Sequence, residues 1–322
     1  MSVVIYQNTK NMKLGFIKPT YPDEKRVALL PEHITPEFEN ELIIETGFGS
    51  NLGIEDAVYA AKGCKIDTRA NIFKTCDTVF CLKLIQPEDY DSLREGQMII
   101  GWTHPTGSGT EFYQKVACKK RLRIIDLDNV YPTAHFDDKH IPIPFIKKNF
   151  IWKNSYYAGV CSVMHALLSD GFYPDSNTKV AVLANGSVSQ GAYSFISKFN
   201  VDIRMFYRKT MTEFYDTLGE YDIIINGIEV DGSVDHIITK EQLRQVKKGC
   251  LIIDSAADAG NAIEGTRYMS IADPMYEENG LYFYEVNNAP SMLYRKTSFE
   301  ISKSFSEWVY KKDVKQFWQL FD

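Results

Sequence analysis

The 322-residue sequence predicts an α/β protein of two Rossmann-like domains with parallel sheets. Three observations carry this. Short apolar or β-branched runs alternate with longer amphipathic stretches, a second set of the same kind follows a helical connection, and the second set opens on a dinucleotide-type turn. At 44% hydrophobic and 24% charged, the chain has enough apolar surface for two cores of ordinary size.

The first set begins at Leu14 with LGFI and continues with LIIE, TVFCLKL, MIIGW and RIIDLD. The stretch Ser155–Gly171, SYYAGVCSVMHALLSDG, then reads as a linking helix with Ala158, Cys161 and Leu168 on its apolar side and Gly171 as its stop. VAVL, DIRMFY, DIIING, LIID and LYFYEV form the second set, and such near-continuous apolar runs suit a parallel sheet covered on both faces. The tail from Ser298 to Phe321 predicts one more helix, with Phe299, Ile301, Phe305, Trp308 and Val309 as its stripe. Residues 1–11 are expected to be a loose N-terminal extension.

A formal charge of −6 and a pI near 5.6 disfavour nucleic acid and anionic membrane as partners, since phosphate binding needs clustered Lys and Arg. No apolar run approaches the ~20 residues that span a bilayer. The six cysteines include no CxxC pair and no His at metal-ligand spacing, so they predict reduced thiols, no metal site and a cytoplasmic setting.

The strand VAVL enters the turn Ala184, Asn185, Gly186, Ser187, and a helix is expected from about Val188. In the dinucleotide fingerprint one Gly makes the tight turn, the next admits the pyrophosphate and a third lets helix and strand approach closely. Here those places hold Ala184, Gly186 and Ser189. The next strand, DIRMFY, leads into Arg208 and Lys209, where an acid would accept from the ribose hydroxyls of NAD. Basic residues there suit the additional phosphate of NADP, so NADPH/NADP is the expected cofactor. Asn226 and Gly227, closing DIIING, complete the expected cofactor set.

Chemistry-bearing side chains stand at strand ends of the first set: Arg26 in DEKRVALLP, Lys83 closing TVFCLKL and His104 in GWTHP. Carboxyl ends of strands line the ligand crevice of open α/β sheets, and burial at the end of an apolar strand would make Lys83 a usable acid or base. In the second set Asp258 follows LIIDSAA. Solvated Arg and Lys and a structural His are the plain alternatives for these residues.

KPTYPDEKRVALLPEHI, with ETGFG and LGIED, resembles the N-terminal signature of the alanine dehydrogenase, transhydrogenase and saccharopine dehydrogenase superfamily. LREGQMIIGWTHPTGSG, YDIIINGIE and LIIDSAADAGNAIEG are more similar still to bacterial opine-type members that join pyruvate to the side-chain amine of ornithine, and the resemblance covers nearly the whole chain. It implies an NADPH-dependent reductase with pyruvate and ornithine or lysine as substrates. Arg26 is then expected on the pyruvate carboxylate, Lys83 on the keto oxygen, and His104 and Asp258 as catalytic residues. It also implies a cleft between the domains and a discontinuous first domain, residues 12–149 plus 290–322 binding substrate and 150–289 binding NADP. Relatives assemble, so a homo-oligomer is expected, with a tetramer as one form it can take. An amino-acid dehydrogenase of the alanine or saccharopine type and a non-catalytic NADP-binding regulator are the competing readings.

Overall fold

In the computed structural model, which describes residues 12–128, 130–230 and 234–322, the chain divides into two compact units. One comprises Met1–Ile151 and Ser298–Asp322, the other Trp152–Thr297. The extension expected over residues 1–11 lies outside the described residues.

The first unit is built on an eight-stranded sheet: β1 (Lys13–Ile17), β2 (Glu41–Glu45), β3 (Lys65–Asp67), β4 (Thr78–Cys81), β5 (Met98–Gly101), β6 (Arg123–Asp126), β7 (Thr133–Phe136) and β8 (Lys139–Pro142). Their order is β3-β2-β1-β4-β5-β6-β7-β8, parallel from β3 to β6, so the direction of winding reverses between β1 and β4. Such a reversal leaves a crevice at the carboxyl ends of the strands. The last two strands run antiparallel and were not expected, because TAHF and KHIP are short and only half apolar. The reversal joining them places Asp137 at φ +50, a conformation that short polar side chains tolerate.

The C-terminal segment belongs to this unit. Phe16 of β1 and Phe80 of β4 lie 5.5 Å apart between ring centroids, and Tyr310 and Phe305 from the tail pack edge-on against Phe80 at 5.1 and 5.3 Å. The tail is not one helix. The helix Tyr294–Phe305 passes into a π-turn at Ser306–Tyr310, and a short helix Val314–Trp318 restarts after Asp313, whose carboxylate accepts from the Lys315 amide at 2.9 Å. Ser298 and Ser302 face inward and accept from the amides of Val27 and Leu30 at 2.8 and 2.7 Å. The tail thus holds the segment that follows Arg26.

The second unit has a six-stranded sheet of β9 (Lys179–Leu183), β10 (Asp202–Phe206), β11 (Ile223–Asn226), β12 (Leu251–Asp254), β13 (Met275–Glu278) and β14 (Leu281–Tyr284), ordered β10-β9-β11-β12-β14-β13. Only β13 is antiparallel, joined to β14 by Asn279-Gly280 with φ of +54 and +76. That dipeptide suits a tight hairpin because both residues tolerate positive φ.

Two helices cover one face of this sheet, α1 (Trp152–Asp170) and α2 (Ser187–Ile196). They approach through glycine. A Cβ on Gly159 would stand 1.9 Å from the Val188 carbonyl oxygen, and one on Gly191 would stand 1.8 Å from that of Tyr156. α1 occupies the stretch read as a linking helix and ends at Gly171 with φ +75, as expected. Its buried side differs from the reading: Cys161, Val163, Ala166 and Leu167 are covered, whereas Leu168 is 76% exposed.

Candidate active site

The first unit brings three of the expected residues to neighbouring strand ends. Lys83 follows β4, His104 follows β5, and Arg26 lies on the segment after β1. The indole of Trp102 lies close to two of the cations, with the Arg26 guanidinium carbon 4.8 Å and Lys83 Nζ 5.6 Å from its ring centre. Tyr21 contributes a second ring, 5.2 Å from Lys83 Nζ.

His104 has φ +42, which costs a side chain other than Gly strain of order 1–3 kcal/mol unless its surroundings enforce it. The enforcing element is the following turn. The amides of Gly107 and Gly109 donate to the His104 carbonyl at 3.0 and 2.9 Å, and a Cβ on Gly109 would come 1.9 Å from the Thr103 carbonyl oxygen. The Gly-rich string after His104 therefore holds the His104 backbone in place.

Asp128, just beyond β6, forms an ion pair with His104 Nε2. Burial opposes the charged imidazole, but Asp128 overcomes that and holds the His104 pKa above its ordinary value. In the reverse direction burial resists ionisation of Asp128, and His104, followed by Lys83, keeps its pKa low. Lys83 is pushed down by burial and by Arg26, with Asp128 offsetting part of the effect. Asp126, fully buried at the end of β6, accepts from the Thr103 and His104 amides at 3.3 and 3.4 Å and so aligns the His104 segment. Asp126 and Asp128 were missed, although a strand ending in RIIDLD beside β5 places both at the crevice by the rule that located Lys83 and His104.

Arg26 is 1% exposed. Its Nε and Nη2 donate to the two oxygens of Glu24 at 2.8 and 2.5 Å. That edge of the guanidinium fork, expected to grip a substrate carboxylate, is engaged by Glu24, which stays ionised below its usual range because Arg26 outweighs burial. Arg26 and Lys83 thus bring two cationic side chains to the ring of Trp102.

In the second unit the expected fingerprint forms a strand, turn and helix. Ala184 has φ +72, the conformation that Gly would adopt without strain. Gly186 caps α2, and a Cβ on it would meet nothing within 4 Å, so the side where Ser187 and Val188 start the helix is open. Free amides and the positive end of the helix dipole at such a place suit a pyrophosphate. Ser189 does more than stand in for a small residue. Its hydroxyl donates to the Leu183 carbonyl at 2.7 Å, and a Cβ on Gly227 would fall 2.1 Å from that hydroxyl oxygen.

Arg208 and Lys209 are exposed, on a 3-10 turn directly after β10 and Tyr207. Asn226 is fully buried. Its amide donates to the Ile228 carbonyl and to Asp254 at 3.0 Å each, and its oxygen accepts from the Ile228 amide at 3.0 Å, so the side chain shapes the loop after β11. Asp258 accepts from the Val230 amide at 3.0 Å and from Asn261 at 2.6 Å. Among the described residues no group of three or more His, Cys, Asp or Glu is placed to hold a metal, and no helix is long and apolar enough to cross a membrane.

Two mostly parallel sheets, a dinucleotide-type turn in one unit and a His–Asp pair in the other fit an oxidoreductase of the two-Rossmann-domain class. The chain belongs to the alanine dehydrogenase/PNT family, whose N-terminal domain model matches residues 15–137 and whose C-terminal domain model matches residues 174–321. It is 55% identical over 303 residues to the N(5)-(carboxyethyl)ornithine synthase of Clostridium botulinum, covering 94% of this chain and 95% of that one. A protein of the same name from Lactococcus lactis subsp. lactis strain IL1403 is 49% identical over 306 residues, covering 95% and 98%. A solved L-alanine dehydrogenase has the same fold, with a TM-score of 0.76 at 20% identity over 95% of this chain and 91% of the other.

Proposed function

We propose that the protein is an NADPH-dependent enzyme that reductively joins pyruvate to the side-chain amine of L-ornithine, giving N(5)-(1-carboxyethyl)ornithine. The observation that carries this reading is the ion pair of His104 with Asp128 beside a buried, pKa-depressed Lys83, in a chain 55% identical to a synthase of that name.

Arg26 and Lys83 would attract the pyruvate carboxylate and keto oxygen, with Trp102 as the apolar floor. A lysine whose ammonium is destabilised by burial gives up a proton readily, so Lys83 can protonate the keto oxygen as nitrogen attacks. Neutral His104, oriented by Asp128, accepts the proton that the incoming ammonium must lose and returns it as water leaves the carbinolamine, while the second proton lost by nitrogen restores Lys83. A reduced nicotinamide cofactor supplies the hydride that turns the resulting imine into a secondary amine. Gly186, Ser187 and Val188 would hold its pyrophosphate, Ala184 and Asn185 would shape that turn, and Arg208 and Lys209 would take the phosphate that distinguishes NADP from NAD. Gly227 keeps β11 close to that turn, and Asp258 is the carboxylate assigned to the nicotinamide side.

NADPH oxidation with pyruvate and a panel of amines tests the assignment. Turnover is expected with ornithine, to a lesser extent with lysine, and not with ammonia. Turnover with ammonia alone would make the protein an alanine dehydrogenase, absence of turnover with any amine would favour a non-catalytic regulator, and preference for NADH would remove the role given to Arg208 and Lys209.

A further inference from the structure

Asp254 closes β12, Glu285 directly follows β14, and these strands are parallel neighbours paired through Ile253 and Tyr284. Asp254 and Glu285 are each 1% exposed and come next in register on these strands, so two carboxyl groups are buried side by side and each acts on the other's charge. The rest of their surroundings is unequal. Asp254 Oδ1 accepts from the Asn226 amide at 3.0 Å and the Ala256 backbone at 3.1 Å. Asp254 Oδ2 and both Glu285 oxygens are buried with no donor among the described residues. The nearby Thr266 hydroxyl donates instead to the Ile263 carbonyl at 2.9 Å.

Two carboxylates are both acceptors and repel each other when buried side by side, so they settle there only with a proton between them. We propose that Asp254 and Glu285 share one proton at neutral pH, carried on Glu285, and that this acid pair is the positioning element for the loop bearing Asp258. Donors from the Asn226 side chain and the Ala256 and Asp258 amides stabilise charge on Asp254 and outnumber the Thr266 hydroxyl beside Glu285, so the proton sits on the latter. Burial raises the pKa of both groups, Glu285 the further. Charge facing the pair from adjoining segments is that of Asp258, with the phenols of Tyr268 and Tyr276 and, stacked 3.8 Å over the Tyr276 ring, Arg267.

The ionised Asp254 fixes Asn226, Asn226 fixes Ile228, and the same loop supplies the Val230 amide to Asp258 Oδ2 at 3.0 Å. The Asp258 amide also bonds back to Asp254. Glu285 thus lets an anion remain buried at the root of that loop. This inference concerns the site assigned above and rests on that assignment for its effect on rate, but not for the proton.

The proton is read by infrared spectroscopy of the full-length protein at about pH 7, where a protonated carboxyl band is expected and should vanish in Glu285→Gln. A group whose folded pKa is raised stabilises the fold fully below its unfolded value of about 4.3 and loses that contribution as pH rises toward the folded pKa. The Tm should therefore fall between about pH 5 and about pH 9, and Glu285→Gln, which donates without titrating, should flatten that slope. Asp254→Asn should lower kcat roughly 10- to 100-fold with little change in the KM for pyruvate, because the loop is displaced rather than the pyruvate site. Glu285→Gln should keep kcat within about threefold, since its amide still donates to Asp254. No carboxyl band removed by Glu285→Gln, an unaltered Tm slope, or equal kcat losses in both variants would overturn the proposal. Infrared and Tm decide the proton even if pyruvate and amines give no turnover, an outcome that would refute the assigned reaction alone.

Discussion

His104 combines a left-handed backbone, a carboxylate partner and a neighbouring cation, and each affects how it can move a proton. His104→Gln should reduce kcat about 10²- to 10⁴-fold, the usual worth of a positioned general base, with little effect on cofactor affinity measured by fluorescence titration. Asp128→Asn should shift the basic-group limb of the pH–rate profile to lower pH, because the charge that raises the His104 pKa is gone. The pair also links folding to pH at both ends. His104, raised, stabilises the fold below about pH 6.5 and loses that effect as pH climbs through its folded pKa, whereas Asp128, lowered, contributes above about pH 4 and loses its effect as pH falls. Ala184 offers a test without chemistry. Ala184→Gly should stabilise the protein by about 1 kcal/mol in denaturant titration, since an L residue at φ +72 carries that order of strain. Arg26 lies well beyond the end of β1, whereas residue type and strand-end position made Lys83 and His104 legible. Glu24 was not, because its pairing with Arg26 depends on a turn that apolar periodicity does not encode.

Among the elements, the tail helix Tyr294–Phe305 shows how distant sequence can set a site. Ser298 and Ser302 tie down Val27 and Leu30, the continuation of the Arg26 segment. Ser298→Ala and Ser302→Ala should each cost about 1–2 kcal/mol, the penalty for a buried amide left without its acceptor. Calorimetry would show the loss, and steady-state kinetics should show a higher KM for pyruvate as Arg26 loosens. The apolar stripe of the tail was readable, with Ile301, Phe305 and Val309 buried as its periodicity requires. The break at Ser306–Tyr310 was not, since a π-turn arises from packing Tyr310 against Phe16 and Phe80 rather than from a breaker residue. α1 was read in the right place but with Leu168 on the wrong side, because Gly159 and Gly191, through which α1 and α2 meet, carry no hydrophobic signal.

Across the molecule, two successive strand sets of equal rhythm were enough to reveal two α/β units. The antiparallel margins, β7 with β8 and β13 with β14, escaped that rhythm because short hairpins break the alternation of strand and helix. Chemistry is divided between the units as well. The His104–Asp128 pair belongs to one, and the turn at Gly186, with Asp258, belongs to the other. In the proposed function these parts serve a single hydride transfer to an imine of pyruvate and ornithine. Its most direct test is mass spectrometry of products formed with pyruvate, ornithine, ammonia and NADPH deuterated at the transferable position. The expected product is a deuterium-labelled N(5)-(1-carboxyethyl)ornithine with the label on the carbon derived from the ketone. Labelled alanine, labelled lactate or no labelled product would contradict the account.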